Sequence, residues 1–259
     1  MDANLQVALS GAVPALVAMW LVDRLDRKRP EPRRLRWLVA FVGMLSVIPA
    51  IALGMAITAA VDDVVEPQFT YQGATFSAFV LAAGVEEACK IAVVYWIVWR
   101  RPEFDERLDG IVYASRAGLG FALVENVFYL LGQTTLTGQI HVWVARAFLA
   151  VPGHAMWTGM IGAMAARRRF DGTGLGLVGG YLLAVAFHGA YDVAIFVQQP
   201  LHLEGYGSLG TALIAVPIAL TVLAFLVLRT MARTALQLDD AEAARRAVQA
   251  AVTGQLPPG

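Results

Sequence analysis

Apolar runs of about 18 residues or more recur along this chain, and they constrain its fold more than any other feature. They cover residues 5–22, 37–60, 74–99, 111–132, 140–166, 174–197 and 207–228. Inside hydrocarbon every backbone N–H and C=O must find its partner within the protein, so runs of this length read as membrane helices. The expected fold is all-α, a polytopic membrane helix bundle of about seven transmembrane helices. Composition agrees: 58% of residues are hydrophobic and 15% charged, whereas a soluble domain carries about 25% charged residues. A soluble domain on a single anchor is excluded.

The polar loops set an orientation. Arg24, Arg27, Lys28, Arg29, Arg33, Arg34 and Arg36 separate the first two runs. Arg100, Arg101 and Arg107 separate the third and fourth, Arg167, Arg168 and Arg169 the fifth and sixth, and Arg229 and Arg233 follow the seventh. The alternate loops, 61–73, 133–139 and 198–206, hold no lysine or arginine. The positive-inside rule therefore puts the N-terminus outside and the C-terminus in the cytoplasm. Asp2 and the lack of a basic leader make the first run a retained helix, not a signal peptide. Residues 1–230 read as the membrane domain. Residues 231–259 read as a solvated or interfacial cytoplasmic tail, a short helix ended by Gly254 and Pro257-Pro258. The formal net charge of zero gives no footprint for nucleic acid, and none is expected as a partner. The single cysteine, Cys89, excludes an internal disulfide or a cysteine-built zinc site.

Charge lies where it is costly. The third run carries Glu86, Glu87 and Lys90 near its middle, at roughly 2.5–3.5 kcal/mol per charged residue on insertion scales. The fourth carries Arg116, then Glu125, Asn126 and Tyr129; the fifth His141, Arg146 and His154; the sixth His188 and Asp192. Counted from the outer ends at 1.5 Å per residue, Glu86, Glu125, His154 and His188 lie roughly 18, 11, 21 and 14 Å deep. They share one layer about 10 Å thick, where random placement would spread them over about 30 Å. Glu86 and Lys90 are spaced i,i+4, as are His188 and Asp192, so each pair shares a helix face. Pro152-Gly153 precedes His154, and a proline there removes a helical hydrogen bond beside the histidine. Arg116 and Arg146 read as snorkelling or structurally paired residues.

Gly174-x-Gly176-x-x-Gly179 matches a dinucleotide fingerprint by letters, but no strand precedes it. A small-residue row, Gly172, Gly176, Gly180 and Ala184, is the better reading; it would bring His188 close to a neighbouring helix.

Glutamates and histidines near the midplane suit water activation: a buried glutamate as general base, a histidine to hold the water, and a second histidine with Asn or Asp at the oxyanion. Glu86-Glu87-x-x-Lys90, Phe121-x-x-x-Glu125-Asn126-x-x-Tyr129, Pro152-Gly153-His154 and His188-x-x-x-Asp192 together resemble the PrsW family of bacterial intramembrane proteases, distant relatives of the CAAX prenyl endopeptidases and bacteriocin-processing enzymes. The resemblance covers residues 74–197. It implies Glu86 as the water-activating base, Glu87 as a second required glutamate, His154 working with the base on the water, and His188 on the oxyanion side. Lys90, Glu125, Asn126, Tyr129 and Asp192 would support them. Asp192 stands where the CAAX branch often has Asn, and Ala150 where it has Phe; both favour PrsW.

The resemblance further implies a bacterial inner-membrane protein, membrane-protein substrates such as anti-sigma-factor-like regulators, and a lipid environment. A metal-free glutamate mechanism ranks first. A zinc site built from His154, His188 and Glu86 or Glu87 stays open, as does a proton-coupled transporter using the same residues.

Overall fold

The computed structural model describes residues 3–61 and 70–253, and every regular element among them is helical. In chain order these are α1 (Ala3–Ser10), α2 (Ala12–Asp23), α3 (Arg33–Leu45), α4 (Val47–Val61), α5 (Tyr71–Phe76), a π-helical segment (Ser77–Gly84), α6 (Val85–Ile97), α7 (Arg107–Leu131) and α8 (Leu136–Ala145). A second π-helical segment (Arg146–Ala150) then leads into α9 (Val151–Asp171), α10 (Gly176–Phe196), α11 (Gln198–Leu203), α12 (Gly207–Ala212) and α13 (Ala215–Thr253). Leu5–Asp23, Arg33–Val61, Gly176–Leu203 and Gly207–Thr253 are long and apolar enough to cross a membrane. The runs at 74–99, 111–132 and 140–166 are also helical, and they carry the interior charges.

α7 is the axis. Every residue from Arg107 to Ala122 is buried, and α2, α3, α6, α9 and α13 all lie against it. Its closest partner is α9, and glycines permit the approach: Gly110 crosses Gly162 backbone to backbone, and Gly118 sits against the His154 carbonyl. A side chain at Gly118 would push α9, and His154 with it, away from the core.

The apolar runs are less regular than their length suggests. The second bends at Ser46, whose Oγ donates to Gly43 O at 2.7 Å, three residues before Pro49, which lacks the N–H that would bond Leu45. The small-residue row also differs from expectation. Gly172, Gly174 and Gly176 have φ of 67°, 83° and 61° and make the turn between α9 and α10, a backbone shape that only glycine adopts freely. Close packing starts at Gly180, where a Cβ would meet Ile161 Cα at 2.8 Å.

The C-terminal segment differs too. α13 runs 39 residues and passes position 230 without a break. Asp239, buried, accepts from the backbone N–H groups of Arg107 and Leu108 at 3.1 Å each, capping α7, and pairs with Arg107 Nη1 at 2.8 Å. Asp171 and Glu242 complete the ring around Arg107, while Asp240 holds Lys28 at 2.6 Å and Arg29 at 3.1 Å. The stretch to Glu242 is docked because its carboxylates meet fixed arginines, while the remaining turns, 243–253, are mostly exposed. Asp2, Gly254, Pro257-Pro258 and most of loop 61–73 lie outside the described residues.

Candidate active site

Two of the four elements that carry the central charges, α6 and α9, are entered through π-helical segments. Such turns lose the usual bonding register and recur at functional sites. The first ends at Gly84, whose carbonyl accepts from Tyr181 Oη at 2.8 Å; Glu86, Glu87 and Lys90 occupy the next turns of α6. The second ends at Ala150, two residues before Pro152, which has no N–H to continue an α-helical ladder. His154 follows one turn into α9.

Lys90 is the hub. Its buried Nζ lies 3.0 Å from Glu86 Oε2, 2.9 Å from Glu87 Oε1 and 2.8 Å from His154 Nδ1, with the Phe121 ring 4.3 Å away. Glu87 is sealed: its other oxygen accepts from Thr158 Oγ1 at 2.7 Å, and Oε1 also lies 3.0 Å from His188 Nδ1. Asp192 Oδ2 is 3.2 Å from His188 Nε2, so both nitrogens of that ring face carboxylates. Trp157 stacks on His188 at 4.2 Å and fixes its plane. The two histidine rings stand edge to face, 5.2 Å apart.

A second chain of contacts backs His154. Its Nε2 lies 2.8 Å from Glu125 Oε2, which also takes Arg146 Nη2 at 2.6 Å. Arg146 Nε donates to Asn126 Oδ1 at 2.6 Å, and its guanidinium lies 4.0 Å over the Tyr129 ring. Asn126 in turn donates to Gly11 O at 3.2 Å.

Exposure separates the two adjacent glutamates. The Glu87 side chain is 0% exposed, the Glu86 side chain 16%. Glu86 opens on a cavity of about 840 Å³ walled by Ala50, Gly54 and Thr58 of α4, Leu81 of the first π segment, and Phe121 and Tyr129 of α7. Glu86 and Glu125 are the carboxylates in its wall.

The structure thus brings together Glu86, Glu87, Lys90, Glu125, His154, His188 and Asp192 from four separate runs. Asn126 and Tyr129 lie one step back, holding Arg146. Arg146, expected to snorkel or pair structurally, is an interior partner of Glu125. Thr158 and Trp157 escaped the sequence reading. Thr158 follows His154 by one helical turn, a spacing that could have flagged it; nothing in the sequence marks Trp157 apart from core.

Glu86, His154 and His188 offer ligand atoms within 4.8 Å of one another, the two-nitrogen, one-oxygen set a divalent metal accepts. His154 has Nε2 on Glu125 and His188 has Nδ1 on Glu87, the carboxylate backing that metal-binding histidines usually have, while Asp192 takes His188 Nε2. By donor type and spacing the set fits a metal. Lys90 is the competing feature, because its ammonium already sits against Glu86 and the His154 Nδ1 that such an ion would use.

A second acidic group, Glu31, Asp105 and Asp109, gathers at the start of α7. Asp109 Oδ2 caps that helix by accepting from Asp105 and Glu106 N–H at 2.9 and 2.7 Å, and Tyr113 Oη donates to Glu31. Burial raises the Asp26 carboxyl to about 7 and, together with the neighbouring Glu31, the Asp109 carboxyl to about 9.

Comparison with known proteins places this arrangement. The profile of the PrsW family, described as intramembrane metalloproteases, matches residues 31–228. Protease PrsW of Geobacillus kaustophilus is 31% identical over 192 residues, 73% of this chain and 80% of the relative. Protease PrsW of Oceanobacillus iheyensis is 30% identical over 190 residues, 73% and 82%. Protease PrsW of Bacillus subtilis is 30% identical over 171 residues, 66% and 71%. No solved structure matches the chain.

Proposed function

Since the chain belongs to the PrsW family of intramembrane proteases, we propose that it is an endopeptidase that hydrolyses membrane-protein substrates with water activated by Glu86. The supporting observation is the division between the two glutamates: Glu87 has every oxygen engaged in the core, whereas Glu86 lines the cavity. Family membership makes the chain an integral membrane protease and sets aside the transporter alternative.

In this reading Glu86 takes the proton of a water in the cavity and passes it to the leaving amine. Lys90 supplies the counter-charge and fixes the Glu86 rotamer. His154, held by Lys90 and Glu125, borders the water. His188, with carboxylates at both ring nitrogens, has the donor pattern of an imidazolium and places positive charge beside the forming oxyanion. Asp192 acts as its orienting partner and not as an oxyanion donor. The substrate lies in the cavity between α4 and α7, unwound near Glu86. We place the protein in a bacterial inner membrane, with seven spans, the N-terminus outside and loop 24–36 in the cytoplasm. The proteolytic domain covers residues 1–230, and 231–259 form its cytoplasmic extension. Single-pass regulators of the anti-sigma-factor type are the substrate class this reading favours.

The family description supports a second reading. Glu86, His154 and His188 would hold a zinc ion, which when bound supplies Lewis-acid activation of water. The position of Lys90 favours the metal-free version.

The test is Glu86→Gln in reconstituted protein. Cleavage falls at least about a hundredfold, while the melting temperature stays near that of the parent. Unchanged cleavage would remove Glu86 from the role of base. Metal content measured before and after chelation separates the two versions: stoichiometric zinc lost together with activity would sink the metal-free one.

A further inference from the structure

A second cavity, about 490 Å³, lies far along the sequence from the catalytic residues, where α2 ends and α3 begins. Arg24, Arg27, Arg33 and Arg36 line it, with Trp20 and Trp37 at its sides. Its two acids are already engaged. Asp23 is held by Arg36 at 2.6 Å and by the buried Arg116 at 2.5 Å. Asp26 is buried and accepts from the Glu31 N–H at 2.9 Å.

Arg24, Arg27 and Arg33 are exposed, and none has a carboxylate partner among the described residues. Arg24 stacks on Trp20, 3.6 Å from the ring centroid, which pre-sets its guanidinium fork. Arg36 Nε is buried and has no hydrogen-bond partner among the described residues. Three exposed guanidinium groups without a carboxylate partner among the described residues line one cavity, and each can give a phosphate two parallel N–H donors.

The surroundings say which phosphate. Below the cavity, α2 exposes Leu16, Val17 and Trp20, and α3 exposes Trp37 and Phe41. α2 and α3 lie within the two segments, Leu5–Asp23 and Arg33–Val61, that are long and apolar enough to cross a membrane, so these side chains offer an acyl-chain surface continuous with the arginines. Indole rings at that level suit the headgroup boundary. A free phosphate would have no use for the apolar faces.

We propose that this cavity is a binding site for the headgroup of an anionic glycerophospholipid, with arginines 24, 27, 33 and 36 on the phosphate and the α2 and α3 faces on the acyl chains. The site is independent of the catalytic reading and stands or falls without it.

The experiment uses the full chain in nanodiscs and native mass spectrometry. Dioleoyl-phosphatidylglycerol is retained in preference to dioleoyl-phosphatidylcholine, and it raises the melting temperature of the unsubstituted protein. The triple variant Arg24→Gln, Arg27→Gln, Arg33→Gln lowers relative affinity on the order of a hundredfold. A control removing three other exposed arginines, Arg100→Gln, Arg167→Gln, Arg245→Gln, leaves retention unchanged. Equal loss in both triples would mean diffuse attraction without a site and would overturn the proposal. So would displacement of the lipid by matched glycerol 3-phosphate, or equal retention of the two lipids by the parent protein.

Discussion

Lys90 and His154 meet across the α6–α9 contact, with Nζ 2.8 Å from Nδ1. An ammonium can only donate, so Nδ1 accepts, and Nε2 carries the proton that goes to Glu125. One lysine thereby sets the tautomer of His154 and balances both glutamates of the motif.

Replacing Lys90 with Met should therefore cost more than a lost contact. The buried Glu87 carboxylate would lose one of its two cationic neighbours and keep only His188, at roughly 3 kcal/mol. We expect a clear fall in melting temperature and loss of cleavage, measured side by side. Glu86→Gln, at the cavity wall, should leave the melting temperature nearly unchanged. A Lys90→Met protein as stable as the parent would refute the hub.

Gly54 tests the cavity as the substrate site. A Cβ built there meets nothing within 4 Å, so Gly54→Leu adds bulk to the cavity wall without disturbing the fold. KM for a membrane substrate should rise about tenfold or more, roughly one to two kcal/mol of lost binding, with unchanged thermal stability. Kinetics indistinguishable from the parent would place substrate elsewhere.

Asp239 tests the docked C-terminal helix. Asp239→Asn weakens both the α7 cap and the buried pair with Arg107, at roughly 3 kcal/mol. Amide exchange over 236–253 should accelerate, while exchange near Glu86 should not. Uniform acceleration along the whole chain would argue against a local latch.

The Asp26 carboxyl predicts a pH dependence. Its folded value is raised by burial to about 7, from the ordinary 3.8. The folded state holds this proton where the unfolded chain has lost it, so stability falls as pH rises from about 4 to about 7 and flattens above. Asp26→Asn should reduce that slope. An identical pH profile in the variant would show that Asp26 does not contribute.

Much of the site is legible in the sequence. Charge inside apolar runs marks Glu86, Glu87, Lys90, Glu125, His154, His188 and Asp192, because hydrocarbon penalises such groups wherever they sit. Helical spacing foretells the contact of His188 with Asp192. Arg146 is not legible in the same way, since an arginine near a run's end snorkels or turns inward according to its neighbours, and here they offer Glu125 and Asn126. Trp157 is invisible in the sequence because its value lies in a contact with another helix, and Thr158 is hinted at only by its one-turn spacing from His154.

The sequence alone determined the class of protein, its apolar helices, the alternation of basic loops and the common depth of the reactive groups, since each depends on local composition and a fixed rise per residue. The tertiary structure decided which glutamate faces the cavity and which is sealed, what each histidine nitrogen touches, and that the C-terminal helix docks. A π turn adds a residue and rotates the downstream helix by about 100°. Two such segments, at Ser77–Gly84 and Arg146–Ala150, therefore reset the facing of Glu86 and His154. The glycine crossings of α7 and α9 then fix how closely those faces meet.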